Sequence, residues 1–230
     1  MLYLKNVGYH PPATLEPILK DINLQLAPQE LGLIIGPSGS GKTTLLEILA
    51  GMAEPTGGQV LWRTQDLTPL HLQQLCGLVF QFPERHFCGG TLLEELRLGH
   101  PELSRERIGE ALQEVGLGHC PWNLSPQALS GGQQRRLSLA VQLIRQPNIL
   151  LLDEPTAGLD WSMRQQLAQL LAKLKAHWSL LVVSHDPGEL LAIADRCWRI
   201  DRGKLTELSV QDLLHNVGSR DSLLSQSSFQ

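Results

Sequence analysis

The chain has 230 residues, of which 42% are hydrophobic and 18% charged, with a formal net charge of -4. That is enough to bury a sizeable core, and the composition excludes a disordered polymer. The acidic balance and scattered arginines exclude nucleic acid as the main partner, because a phosphate backbone is held by clustered Lys and Arg.

Met1-Leu2-Tyr3-Leu4-Lys5-Asn6 lacks the basic start and long apolar stretch of a signal peptide. No apolar run approaches the roughly 20 residues of a membrane helix. The expectation is a cytosolic protein whose membrane link comes through a partner. Cys76, Cys88, Cys120 and Cys197 form no C-x-x-C pair, so neither a zinc site nor a redox motif is indicated, and all four are expected to be reduced.

Short strands are predicted at Leu2–Val7 and Ile22–Leu26, separated by a turn containing Pro11, Pro12 and Pro17, a pattern of antiparallel sheet. Leu31–Ile35 is a continuous apolar strand running into a Gly-rich turn, and Lys42–Gly51 reads as the helix that follows. Further strands at Gln59–Arg63 and Leu75–Gln81 precede a mostly helical stretch from Thr91 to Gln146, read as a helical lobe at about 84–146. Asn148–Asp153 and Ser179–Ser184 are unbroken apolar runs, typical of parallel strands covered on both faces, and an amphipathic helix at Ser162–Ala176 joins them. The result is a doubly wound α/β pattern in one domain, residues 1–216, with the Ser-rich segment 217–230 read as a flexible tail.

Gly36-Pro37-Ser38-Gly39-Ser40-Gly41-Lys42-Thr43 fits G-x-x-x-x-G-K-[ST] between a strand and a helix, the context this phosphate-binding loop requires. The glycines let backbone N–H groups curl around phosphate oxygens, Lys42 brings charge to the β and γ phosphates, and the Thr43 hydroxyl can ligate Mg²⁺. Thr44 is placed for a further phosphate contact. Ile149–Leu152 delivers Asp153 and Glu154 to the C-terminal edge of a strand, where α/β sheets bind ligands. Asp153 would hold Mg²⁺, while Glu154, pointing the other way along an extended chain, would orient and polarise the attacking water. Leu129-Ser130-Gly131-Gly132-Gln133 opens a predicted helix, Gln134–Gln146, so that Ser130 and the glycines present N–H groups and a positive helix end to an anion.

These motifs, in this order, resemble the ABC (ATP-binding cassette) ATPases over roughly residues 1–216. The resemblance implies a P-loop NTPase (RecA-like) core with an antiparallel β subdomain and a helical signature subdomain, ATP and Mg²⁺ as ligands, and ATPase activity. It also implies a head-to-tail dimer in which Ser130, Gly131, Gly132 and Gln133 complete the ATP pocket of a neighbouring chain. By the same resemblance Gln81 contacts Mg²⁺ and the region of the attacking water, His185 lies near the γ-phosphate, and Asp160 belongs to the loop that crosses the dimer. Tyr9 matches the family's adenine-stacking aromatic, or is a packing tyrosine.

Only about 85 residues separate Thr43 from Leu129, so no long coiled coil is inserted, and there is one cassette. This leaves a stand-alone ATPase docking on separate transmembrane subunits at the inner face of the plasma membrane. Val79-Phe80-Gln81-Phe82-Pro83-Glu84 and Ser125-Pro126-Gln127-Ala128 look like energy-coupling-factor (ECF) ATPases, which energise uptake of vitamins or transition metal ions. Gly158-Leu159-Asp160-Trp161 and Arg196-Cys197-Trp198-Arg199 are similar to single-cassette proteins of plastids and cyanobacteria. The alternative is a non-transport assembly factor, for example in iron-sulfur cluster biogenesis. Trp161 stands where the ECF pattern often has Pro. Phe80, Phe82 and Phe87 cluster around Gln81, either as a docking surface for a membrane subunit or as packing at the base of the lobe.

Overall fold

A computed structural model describes residues 1–12 and 14–215, so the expected tail at 217–230 lies outside the described residues. β1 (Leu2–Tyr9) and β2 (Leu19–Leu26) pair antiparallel, Leu2 opposite Leu26 and Tyr9 opposite Leu19. Along β2 apolar residues alternate with polar ones, as suits a strand with one face on the core. β3 (Leu31–Ile35) is apolar on both faces and leads into α1 (Lys42–Leu49). β4 (Gly57–Trp62) and the two-residue β5 (Gln65–Asp66) complete a four-stranded sheet in the order β2-β1-β4-β5.

α2 (Pro69–Leu75) and β6 (Cys76–Val79) return the chain to a second sheet. The lobe follows, with α3 (Leu92–Leu96), α4 (Arg105–Glu114) and α5 (Gly131–Leu143). Next come β7 (Ile149–Asp153), α6 (Trp161–Leu174), β8 (Ser179–Ser184), β9 (Arg196–Asp201) and β10 (Lys204–Leu208). The second sheet runs β10-β9-β3-β8-β7-β6; it is parallel from β9 to β6, with β10 antiparallel at its edge.

β7 and β8 are buried at every residue because the sheet separates two apolar cores. Ile149 and Leu151 face α1 and the antiparallel sheet, whereas Leu150 and Leu152 face α5, α6 and the lobe. Each such leucine contributes about 1.5–3 kcal/mol relative to exposure. The register decides where the chemistry lies. Ile35 stands opposite Ser184, and Asp153 opposite Val183, so the loops leaving β3, β7 and β8 emerge at one edge.

The structure differs from the sequence expectation in several places. α2 was not expected: Thr68 caps it in a reciprocal box with His71 and Pro69 starts it, but Leu72 is its one buried residue, so no apolar stripe marks it. The β9–β10 hairpin was also missed. Cys197 and Trp198 are adjacent and both buried, which breaks alternation, because β9 lies against β3 inside the sheet. Its turn carries Arg202 and Gly203 at φ 48° and 77°. A Cβ on Gly203 would stand 2.2 Å from the Ile18 carbonyl oxygen, which only glycine avoids.

The phenylalanines do not form one patch. Phe82 is exposed beside Arg85, Phe80 stacks on His86 with centroids 4.7 Å apart, and Phe87 packs against the core of the lobe.

Candidate functional site

Gly36 to Gly41 turns sharply between β3 and α1. Gly39 and Gly41 take φ of 77° and 104°, the left-handed region that glycine tolerates, and a Cβ on Gly39 would meet nothing within 4 Å. The backbone there is therefore open to an approaching ligand. The Lys42 ammonium is buried against the loop, donating to the Gly36 and Pro37 carbonyls at 2.8 and 3.0 Å, and lies 3.8 Å from Glu154 Oε1. The Ser40 backbone N–H donates to Pro37 O at 3.3 Å, and its buried hydroxyl has no hydrogen-bond partner.

A cavity of about 420 Å³ opens over this loop. Ser38, Gly39, Gly41, Lys42, Thr43 and Thr44 line one side, and Gln81, Asp153, Glu154 and His185 the other. Residues up to 167 positions apart in sequence, Ile18 and His185, thus converge on one space. Thr43 Oγ1 donates to Asp153 Oδ2 at 3.0 Å, while Asp153 Oδ1 is buried without a partner. Burial pushes the Asp153 carboxyl above the ordinary carboxylate range; the Thr43 hydrogen bond opposes the rise and the charge of Glu154 adds to it. An orphaned carboxylate oxygen next to a hydroxyl oxygen is a hard-oxygen donor set that fits a divalent cation such as Mg²⁺.

Glu154 departs from the expected geometry. The strand ends at Asp153, and Glu154 takes φ 46°, in the left-handed region rather than the extended one. That turn swings its carboxylate towards β8. The backbone N–H of His185 donates to Oε1 and Oε2 at 2.9 and 3.1 Å, the Ser184 hydroxyl donates to Oε2 at 3.1 Å, and His185 Nδ1 lies 2.9 Å from Oε2.

The structure does not bring Tyr9 into this cavity. Its ring is half-buried against the core beneath the antiparallel sheet, and Ile18 lines the cavity instead. Nor do the signature residues reach it. Ser130, Gly132 and Gln133 line a separate cavity of about 340 Å³ that also includes Asp160, Met163 and Gln166. Ser130 caps α5: its hydroxyl accepts from the Gln133 N–H at 3.4 Å and Gln133 Oε1 accepts from the Ser130 N–H at 3.0 Å. Gly131 is exposed at the first position of the helix, ahead of Gly132. Asp160 likewise caps α6, accepting from Met163 N–H at 2.9 Å.

Arg135, which with Arg136 belongs to the stretch that looks like the ECF ATPases, is not among the site residues expected from the sequence. Its buried guanidinium donates to the Gln81 and Ala157 carbonyls, joining the helix after the signature to the two neighbouring loops. Four positions after Gly131, it lies on the core side of α5, and that spacing was the available signal.

A family model described as ABC transporter matches residues 19–157. The chain belongs to the ABC transporter family. It is 43% identical over 219 residues to ABC transporter I family member 11, chloroplastic, of Arabidopsis thaliana, covering 87% of this ABC protein and 78% of the relative. It is 39% identical over 200 residues to the energy-coupling factor transporter ATP-binding protein EcfA2 of Symbiobacterium thermophilum, covering 81% and 69%. A solved dimeric ATP-binding cassette in a post-hydrolysis state, bound to ADP and Pi, superposes with a TM-score of 0.78 at 31% identity, covering 91% of this chain and 99% of that one. The protein is an ATP-binding, ATP-hydrolysing subunit of the ABC type with a P-loop NTPase fold. No helix among its described residues is long and apolar enough to cross a membrane.

Proposed function

We propose that this ABC ATPase energises an ECF-like importer of a vitamin or a transition metal ion, working as a head-to-tail pair of cassettes held at the inner membrane face by transmembrane subunits. The observation that carries the reading is the separation of the two phosphate-binding segments: the P-loop cavity and the signature cavity share no lining residue. A second cassette would bring its Ser130, Gly131, Gly132 and Gln133 to the open side of the P-loop, with the Asp160 loops crossing between. The ECF assignment is supported by the relative from Symbiobacterium and by the Gln81 segment.

In this reading the N–H groups of the P-loop cradle the phosphates of ATP, and Lys42 turns its ammonium from the loop carbonyls to the β and γ oxygens. Thr43, Asp153 and Gln81 would hold Mg²⁺, which when bound neutralises charge on the β and γ phosphate oxygens. Glu154 orients and polarises the water aligned with the γ-phosphate, and His185, held by the same carboxylate, contacts the γ-phosphate side. For Tyr9 to stack on adenine, the base must extend past Ile18.

Native affinity purification tests the assignment. The expected result is recovery of a multi-span membrane protein together with a second cassette. Recovery of soluble partners alone would support the assembly-factor reading and overturn this one. Recovery with a sulfate permease would overturn the substrate class while leaving the ATPase reading in place.

A further inference from the structure

Arg164 lies in the first turn of α6, half-buried, and makes two side-chain contacts to different loops. Its Nε donates to the Leu159 carbonyl at 3.1 Å, in the segment immediately before Asp160. Its Nη1 donates to Asp186 Oδ2 at 2.6 Å, in the segment immediately after His185. From Asp186 the connection continues inward. The Asp186 N–H donates to Ser184 Oγ at 3.1 Å, and that wholly buried hydroxyl lies 3.1 Å from Glu154 Oε2.

We infer that Arg164 is a positioning residue for hydrolysis, fastening the loop that carries Asp160 to the loop that carries His185 and thereby setting the carboxylate of Glu154. A planar guanidinium can hold a carbonyl and a carboxylate together through nitrogens fixed at one angle, whereas an ammonium grips as a point charge. The link explains why a polar side chain on α6 is turned across the sheet edge instead of into solvent. It also gives the Asp160 loop, which faces the second cassette in the proposed pair, a short hydrogen-bonded path to the water-polarising group. The inference rests on the proposed role of Glu154.

The test compares ATP turnover by the full-length chain and by Arg164→Ala, Arg164→Lys, Asp186→Ala and the double alanine variant, with Glu154→Gln as reference. Arg164→Ala is expected to lower kcat about tenfold while KM for MgATP stays within about twofold. The double variant is expected to be no slower than the worse single variant within about twofold, as for residues acting through one contact. Arg164→Lys should recover about threefold over alanine, with little change in melting temperature in any variant, because the ion pair is partly exposed. An Arg164→Ala rate within twofold of the wild type, or single effects that simply multiply, would overturn the inference. A fall in melting temperature that tracks the loss of rate would overturn it too, as a purely structural role. If Glu154→Gln turns over at the wild-type rate, the proposed chemistry itself fails and the inference falls with it; an inactive Glu154→Gln beside unaffected Arg164 variants sinks the inference alone.

Discussion

The backbone N–H of His185 donates to both carboxylate oxygens of Glu154, at 2.9 and 3.1 Å. A carboxylate accepts there without penalty, whereas an amide would have to turn its oxygen to His185 and its NH₂ elsewhere. Glu154→Gln should therefore keep the fold and lose turnover by about 100-fold or more, trapping ATP-bound dimers resolved by size-exclusion chromatography. Lys42→Ala acts earlier and should weaken ATP binding by tenfold or more, about 1.4 kcal/mol, in a direct titration. Turnover by Glu154→Gln at the wild-type rate would remove the water-polarising assignment.

The phenylalanines around Gln81 divide by environment. Phe82 is exposed beside Arg85, so Phe82→Asp should weaken assembly with the membrane partner while leaving the melting temperature of the isolated subunit unchanged. Phe87 packs against the lobe core, so Phe87→Asp should destabilise the subunit by about 1–3 kcal/mol by burying a charge. Thermal melts and pull-downs of the two variants separate these effects; equal behaviour would contradict the division.

Thiol chemistry should be equally selective. Burial pushes the Cys76 thiol up to about 12 and the Cys197 thiol to about 11, Cys120 is buried, and Cys88 is exposed. The thiolate is the reactive form, and for Cys76 at pH 8 it is about one part in ten thousand. A disulfide reagent at pH 8 should titrate one fast thiol in the native protein, and none in Cys88→Ser. The remaining thiols should react only on unfolding.

Gly51 takes φ 68°, and a Cβ there would stand 2.1 Å from the Pro69 carbonyl oxygen. Gly51→Ala should cost about 2–4 kcal/mol through backbone strain and this clash, read as a drop in denaturant midpoint. Gly57→Ala is the control, since nothing lies within 4 Å of its added Cβ, and it should remain within about 0.5 kcal/mol of the wild type.

Much of this was legible in the chain. Leu31–Ile35 and Ser179–Ser184 were read with the boundaries the structure gives, because strands buried on both faces are unbroken apolar runs with polar ends. The turn from Gly36 to Gly41 between β3 and α1 was legible because Gly39 and Gly41 stand where the backbone takes positive φ. Short elements marked by caps rather than by an apolar stripe, such as α2, were not legible, nor was a β9 whose burial comes from β3.

The sequence by itself determined which residue types stand at the ends of β3, β7 and β8, a glycine-rich turn with a lysine and a threonine, a carboxylate pair and a histidine, since these follow from the local order of the chain. Only the tertiary structure decided how they meet. The parallel register set Asp153 beside Thr43, the left-handed turn at Glu154 carried its carboxylate to His185, and Arg164 reached from α6 to Asp186. Those contacts span between 22 and 110 positions of sequence or depend on a single backbone dihedral, and neither periodicity nor motif spacing encodes them. The same folding kept the signature segment away from the P-loop of its own chain, because α5 and α1 pack on opposite faces of the sheet.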